Sequence, residues 1–168
     1  QLAAEAFRQR TTHFSEMSGG EVNPTELVAT LINREESFAA GIRQAQAAIA
    51  GSCSLLLLTD HGIYAARDRL GRTPVIIGAK PGSCAATMET TAFPNLDYEV
   101  QRYLGPGEAV LLTPDGIAPV NPPESRMQIC AFLWVYFGYP SSCYEQINVE
   151  CVRNRCGAML AERDRGRV

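Results

Sequence analysis

The chain has 168 residues, of which 46% are hydrophobic and 20% charged, and a formal net charge of −3. That length suits one domain with its own core, and the weak negative charge excludes a general attraction to nucleic acid or to anionic membrane surfaces. Apolar runs such as Leu55–Leu58 and Ala131–Val135 are strand-sized, and none approaches the ~20 residues that span a bilayer.

Gln1 is not an initiator Met and no basic, apolar and small-residue leader follows it, so the chain reads as a piece of something longer. Leu2–Arg10 is predicted to be the end of a helix. Asn23-Pro24-Thr25-Glu26 is a helix start: Asn caps, Pro fills the first helical position, and Glu26 stands where it can reach back to the cap. Leu27, Val28, Leu31 and Ile32 recur at helical spacing, and a second helix is predicted over about 38–49, ended by Gly51.

Strand signals then take over. Cys53–Thr59 reads as a buried strand, turned at Asp60-His61-Gly62 to pair with Ile63–Arg67. Val75–Gly78, Ser83–Met88, Glu99–Leu104, Ala109–Thr113 and Ile117–Val120 continue the series, separated by Gly, Pro and Asp turns. Met127–Phe137 is predicted as a further, unusually aromatic strand. Asn148 caps a last helix over Val149–Arg163, with Val149, Val152, Cys156, Met159 and Leu160 on one face. Helices, a meander of strands and one more helix define an α+β class with an antiparallel sheet built from Cys53–Val120. Pro119–Pro123 is the best candidate boundary, or a surface loop.

The chemistry-bearing residues are sparse. Six cysteines have no Cys-x-x-Cys spacing, and His13 and His61 stand alone, which argues against a metal cluster held within the chain. Cys53, Cys84 and Cys130 are expected to be reduced and buried as small hydrophobes. No Gly-rich phosphate loop and no Gly-x-Ser-x-Gly elbow is present, and Leu104-Gly105-Pro106-Gly107 reads as a turn leading into a strand. Arg67, Arg69 and Arg72, like Arg153 and Arg155, read as solvated faces.

Four stretches carry a family resemblance. Pro24-Thr25-Glu26-Leu27 resembles the helix start of class II glutamine amidotransferase domains, and Gly62 to Val75 resembles their strand–turn–strand. Tyr103-Leu104-Gly105-Pro106-Gly107-Glu108 resembles their Pro-Gly-Glu lead into a strand. Ile129 to Ser142, with Val149 to Gly157, resembles the junction between the two domains of glutamine amidophosphoribosyltransferases. The resemblance covers about 2–164.

It implies the latter part of an αββα N-terminal-nucleophile hydrolase sandwich with antiparallel sheets. Residues 1–124 would be the C-terminal part of the glutaminase domain, and 125–168 the junction strand and first helix leading to the phosphoribosyltransferase domain. The implied activity has two steps. A cysteine attacks the amide of glutamine and releases ammonia, which then displaces pyrophosphate from phosphoribosyl pyrophosphate to give phosphoribosylamine in purine synthesis. The chain as it stands carries neither the nucleophile nor the phosphate loop, so it is expected to be inactive alone.

The resemblance further implies magnesium and an optional iron–sulfur cluster in the parent protein. It implies the rest of the same polypeptide as partner, and a homo-oligomer is expected; the charge and the short apolar runs argue for no nucleic acid and no membrane partner, and the reduced cysteines for a cytoplasmic setting. Two residues are site candidates. The family's glutamine-binding Asp aligns with Pro24, which has no carboxylate, so Asn23 either caps its helix or offers a neutral oxygen to substrate. Cys130 is either a buried structural thiol or a cluster ligand that needs partners from elsewhere. A catalytically inactive binding or regulatory module, and the glutaminase half of another class II amidotransferase, are the competing readings.

Overall fold

The computed structural model describes residues 16–17 and 21–166; the helix predicted over Leu2–Arg10 lies outside them. Two-residue strands β1 (Glu16–Met17) and β2 (Glu21–Val22) pair antiparallel ahead of the first helix. Helix α1 (Pro24–Ile32) starts as its sequence indicates: the Asn23 side chain accepts from Thr25 N–H at 2.9 Å, with Pro24 at the first helical position. Helix α2 (Phe38–Ala48) is capped by Ser37.

The longer strands form two antiparallel sheets, as the αββα resemblance implies, where the turn spacing alone points to one. The first has the order β3 (Leu55–Thr59), β4 (Gly62–Ala66), β8 (Ala109–Thr113), β9 (Gly116–Asn121). The second has the order β6 (Ser83–Thr87), β5 (Ile76–Lys80), β7 (Glu99–Tyr103). All pairings are antiparallel, as the block of hairpin turns predicts. The split arises at Leu70–Pro74, which carries the chain from one sheet to the other instead of folding it back as a hairpin.

The layers run helices, first sheet, second sheet. Leu31, Ile32, Ile42 and Ala45 of the helices pack with Ala66 and Ala109, and Leu55, Leu57 and Tyr64 join them. On the opposite face, Ala65, Val110 and Leu112 meet Ile77 of the second sheet and Val75 and Leu104, which adjoin its strands. Such alternation is the period of two that a strand imposes. The outer face of the second sheet is covered by 3-10 turns at Thr90–Ala92 and Pro94–Leu96. Phe93 between them lies so close to β5 that a Cβ on Gly78 would fall 2.6 Å from its ring.

The aromatic run departs from expectation. Residues 127–130 run alongside the loops of the sandwich, with Gln128 N–H donating to Leu70 O at 2.7 Å and Cys130 N–H to Arg72 O at 3.2 Å. Leu133–Phe137 is then a turn of π-helix, not a strand. A short run of consecutive apolar residues has no period that separates strand from helix. Arg153 fixes the helical outcome by donating to Trp134 O at 2.8 Å and Gly138 O at 2.9 Å. A hairpin, β10 (Cys143–Tyr144) and β11 (Ile147–Asn148), leads into α3 (Val149–Asp164), capped by Asn148 as its sequence indicates. Leu133, Trp134, Tyr144 and Val149 form a small core of their own. Much of the rest of the predicted apolar face of α3 lies in solvent: Met159 is 62% exposed and Leu160 50%.

Candidate functional site

The buried polar groups gather where β4 leaves the first sheet. Arg67 and Asp68, directly after the buried Ala65-Ala66, are 0% and 1% exposed. The Asp68 carboxylate accepts from the backbone N–H groups of Leu70, Arg72 and Thr73 at 2.9 to 3.1 Å. The hydroxyls of Ser52 and Ser54 donate to it at 3.3 Å. A buried carboxylate is tolerable when its lone pairs are filled in this way, and the result is a fixed turn between the two sheets.

Arg67 points the other way. Its Nη1 donates to Leu104 O at 2.5 Å and its Nη2 to Gly71 O at 2.7 Å. The carboxylate of Glu145, from the β10–β11 turn, lies 2.7 Å from Nη1. Arg67 therefore belongs to the interior, not to the solvated face expected of it; Arg69 is exposed and Arg72 half-buried. Arg153, expected in solvent too, is half-buried against the π-helix.

A second polar knot joins the same hairpin to the 3-10 turns. Ser142 and Tyr144 hydroxyls both donate to the Glu89 carboxylate, and Cys143 N–H donates to Thr90 Oγ1 at 2.8 Å. Burial, and then the neighbouring Glu89, pushes the Tyr144 phenol well above the usual tyrosine range. Tyr103 is also raised, chiefly by burial. The Cys53 thiol is raised by burial and by the charge of Asp68, which keeps it a poor nucleophile. Beside the hairpin an open cleft of about 1150 Å³ is walled by Phe93, Tyr98 and Tyr103 on one side and Cys143, Glu145 and Gln146 on the other.

Neither of the two candidates read from sequence contributes its side chain to these polar clusters, although the Cys130 N–H meets the Asp68 turn at Arg72 O. Asn23 Oδ1 is engaged as the α1 cap, and Pro24 beside it is exposed. Cys130 is exposed, contrary to the expected burial, because the segment that bears it runs over the surface; Cys53 and Cys84 are half-buried. Among the described residues no three His, Cys, Asp or Glu side chains are grouped to hold a metal ion. Cys130 offers a single thiolate, which does not fit an iron–sulfur cluster by itself. No helix among the described residues is long and apolar enough to cross a membrane.

Sequence reasoning missed Glu89 and Glu145. Glu89 sits at the end of a strand with nothing to announce its partners, which lie 53 and 55 positions along the chain. Glu145-Gln146 lacks the Asn-Gly signal of a tight hairpin. Arg67-Asp68 did carry a sign, a charged pair ending an apolar strand before Gly71.

No family model matches the chain. Among curated proteins, the amidophosphoribosyltransferase of Bacillus subtilis is 28% identical over 141 residues, 82% of this chain and 30% of that protein. That of Methanothermobacter thermautotrophicus is 30% identical over 141 residues, 81% and 30%. The Escherichia coli enzyme of the same name is 25% identical over 183 residues, 97% and 35%. The fold is similar to a solved glutamine phosphoribosylpyrophosphate amidotransferase from B. subtilis complexed with ADP and GMP, with a TM-score of 0.83, 24% identity, 96% of this chain and 35% of that chain. A second structure, described as the allosteric regulatory enzyme of purine biosynthesis, gives 0.85, 25%, 96% and 34%. The chain thus spans about a third of the length of the proteins it matches.

Proposed function

We propose that this chain, a relative of the amidophosphoribosyltransferases along about a third of their length, is the scaffold and junction of an enzyme of that kind. Such an enzyme makes phosphoribosylamine from phosphoribosyl pyrophosphate and glutamine-derived ammonia. The observation that carries this reading is the agreement of fold over 96% of the chain at a TM-score of 0.85, with curated relatives of that name in bacteria and archaea. In this reading residues 1–124 belong to the glutaminase side and 125–168 lead toward the transferase side. The nucleophile and the phosphate-binding loop then lie in polypeptide outside these 168 residues, and so do magnesium and any partners Cys130 needs for a cluster.

What the chain's own residues contribute is position. Asp68 holds the turn between the sheets, and Arg67 and Glu89 seat the hairpin that leads into α3. The apolar ridge of Phe132, Val135, Tyr136 and Phe137, each at least 60% exposed, is the surface that the rest of the polypeptide would cover. A cytoplasmic homo-oligomer is the expected form, although a relative in Glycine max is named chloroplastic.

At the amide-donor end the aligned position holds Pro24, and the Asn23 oxygen is engaged in capping. The full-length protein is therefore expected to release pyrophosphate from phosphoribosyl pyrophosphate with ammonium salts, and less efficiently with glutamine. Pro24→Asp should raise the glutamine-supported rate and leave the ammonium-supported rate unchanged. A full-length protein that releases no pyrophosphate with either nitrogen source would defeat the reading.

A further inference from the structure

We propose that the Arg67–Glu145 ion pair is a bolt that holds the C-terminal hairpin at one seat on the sandwich, so that the hairpin and the turn between the sheets open together or not at all. Arg67 is wholly buried, and the Glu145 side chain is 26% exposed. Two of the guanidinium nitrogens reach carbonyls, at Leu104 and Gly71, but carbonyls neutralise no charge. Nε has no hydrogen-bond partner, and Glu145 Oε1 meets Nη1 as an ion contact outside hydrogen-bond geometry. Of the other cations nearby, Arg102 is paired with Glu108, and Arg153 is directed to the carbonyls of Trp134 and Gly138. Glu145 thus supplies the negative charge that lets Arg67 stay buried.

The backbone of the hairpin turn points the same way. Glu145 has φ of 49° and Gln146 of 66°. Two successive left-handed residues usually call for Asn-Gly. Side chains that resist this geometry keep it when the surroundings over-determine it. Here the turn is set by Arg67 at its tip and by the Glu89 and Thr90 contacts at its base. Glu145 and Gln146 also line the large cleft, so the bolt sets the width of its mouth. Glu145 is a positioning residue: it acts on the segment that carries it, through Arg67.

The pair predicts coupled opening, which peptide-resolved hydrogen exchange on the full-length protein reads directly. Glu145→Gln should speed exchange by about tenfold or more, both in a peptide covering 139–152 and in one covering 66–72. A peptide from β8 and β9 should keep its wild-type rate. A merely local role for Glu145 would loosen 139–152 and leave 66–72 untouched, and that outcome overturns the proposal, as does no change in either. Should the single variant fail to fold, the doubly neutral Arg67→Met/Glu145→Leu protein decides, compared with Glu145→Leu alone. Recovery of protection in both peptides supports the bolt, because no buried charge is then stranded. A double variant no better protected than the single shows that the charge pair was not what mattered.

Discussion

In the sandwich, Leu55 and Leu57 of β3 pack under the helices, and Ala65, Val110 and Leu112 lock against Val75 and, in the second sheet, Ile77. In the C-terminal segment, Leu133 and Trp134 are buried, but Val135, Tyr136 and Phe137, next in sequence, are 64%, 73% and 67% exposed. The two regions are similarly apolar in sequence and differ in what covers them. The sandwich supplies most of its own cover, with single residues such as Leu56 and Leu58 of the edge strand β3 and Val100 of β7 left in solvent. The C-terminal segment anchors itself through few residues and presents the rest. Apolar sequence alone, then, says that a surface will be covered but not by what.

The largest expected effect lies inside the sandwich. Asp68→Ala strands three backbone N–H groups around a buried site, and should cost about 4 kcal/mol in urea unfolding. Asp68→Asn, which keeps one acceptor oxygen, should cost less. If the two substitutions are equally harmful, the turn is held by something other than these bonds.

In the C-terminal segment the corresponding lesion is smaller. A Cβ on Gly138 would lie 2.6 Å from Leu133 O and 2.7 Å from the Tyr144 ring. Gly138→Ala should therefore cost about 2 kcal/mol and shift the fluorescence of Trp134, the one tryptophan in the chain. Exchange in the sandwich strands should stay as it was; loosening there would erase the distinction between the regions.

Tyr144→Phe removes one donor from Glu89 and should cost about 1–2 kcal/mol near neutral pH. Its pH dependence has a definite sign. Because the folded phenol titrates above the unfolded one, the unfolded chain loses its proton first as pH rises. The stability that the group contributes is whole below about pH 10, the ordinary tyrosine value, and is lost as the pH climbs from there toward the folded pKa. The Phe variant should lack that alkaline loss. Smallest of all, Tyr136→Ser should change the stability of the 168-residue chain by no more than about 0.5 kcal/mol, because the ring is already in water.

The legible parts of the sequence were those with local grammar. Asn23-Pro24 and Asn148 announced their helices, and Asp60-His61-Gly62 its hairpin, because caps and tight turns are short-range chemistry. The two-sheet split was legible in the family resemblance but not in the spacing of the turns: it depends on Asp68 gathering donors from Ser52 to Thr73. The π-helix was hidden because Ala131–Val135 has no period, and its partner Arg153 lies beyond a hairpin. The candidate site was least legible of all. Glu89 and Glu145 act through partners more than 50 residues away, and the exposure of Cys130 follows from the path of its segment over the sandwich rather than from its apolar neighbours.

The contrast between a self-covered sandwich and a C-terminal ridge that awaits cover can be measured by carbene footprinting of the 168-residue chain beside the full-length protein that contains it. Labelling at Phe132, Tyr136 and Phe137 should fall by about fivefold or more in the full-length protein, as a buried interface core excludes the reagent, while Val110 and Ile77 stay unlabelled in both. Equal labelling of the ridge in the two proteins would mean that nothing covers it, and the chain would have to be read as a module complete in itself.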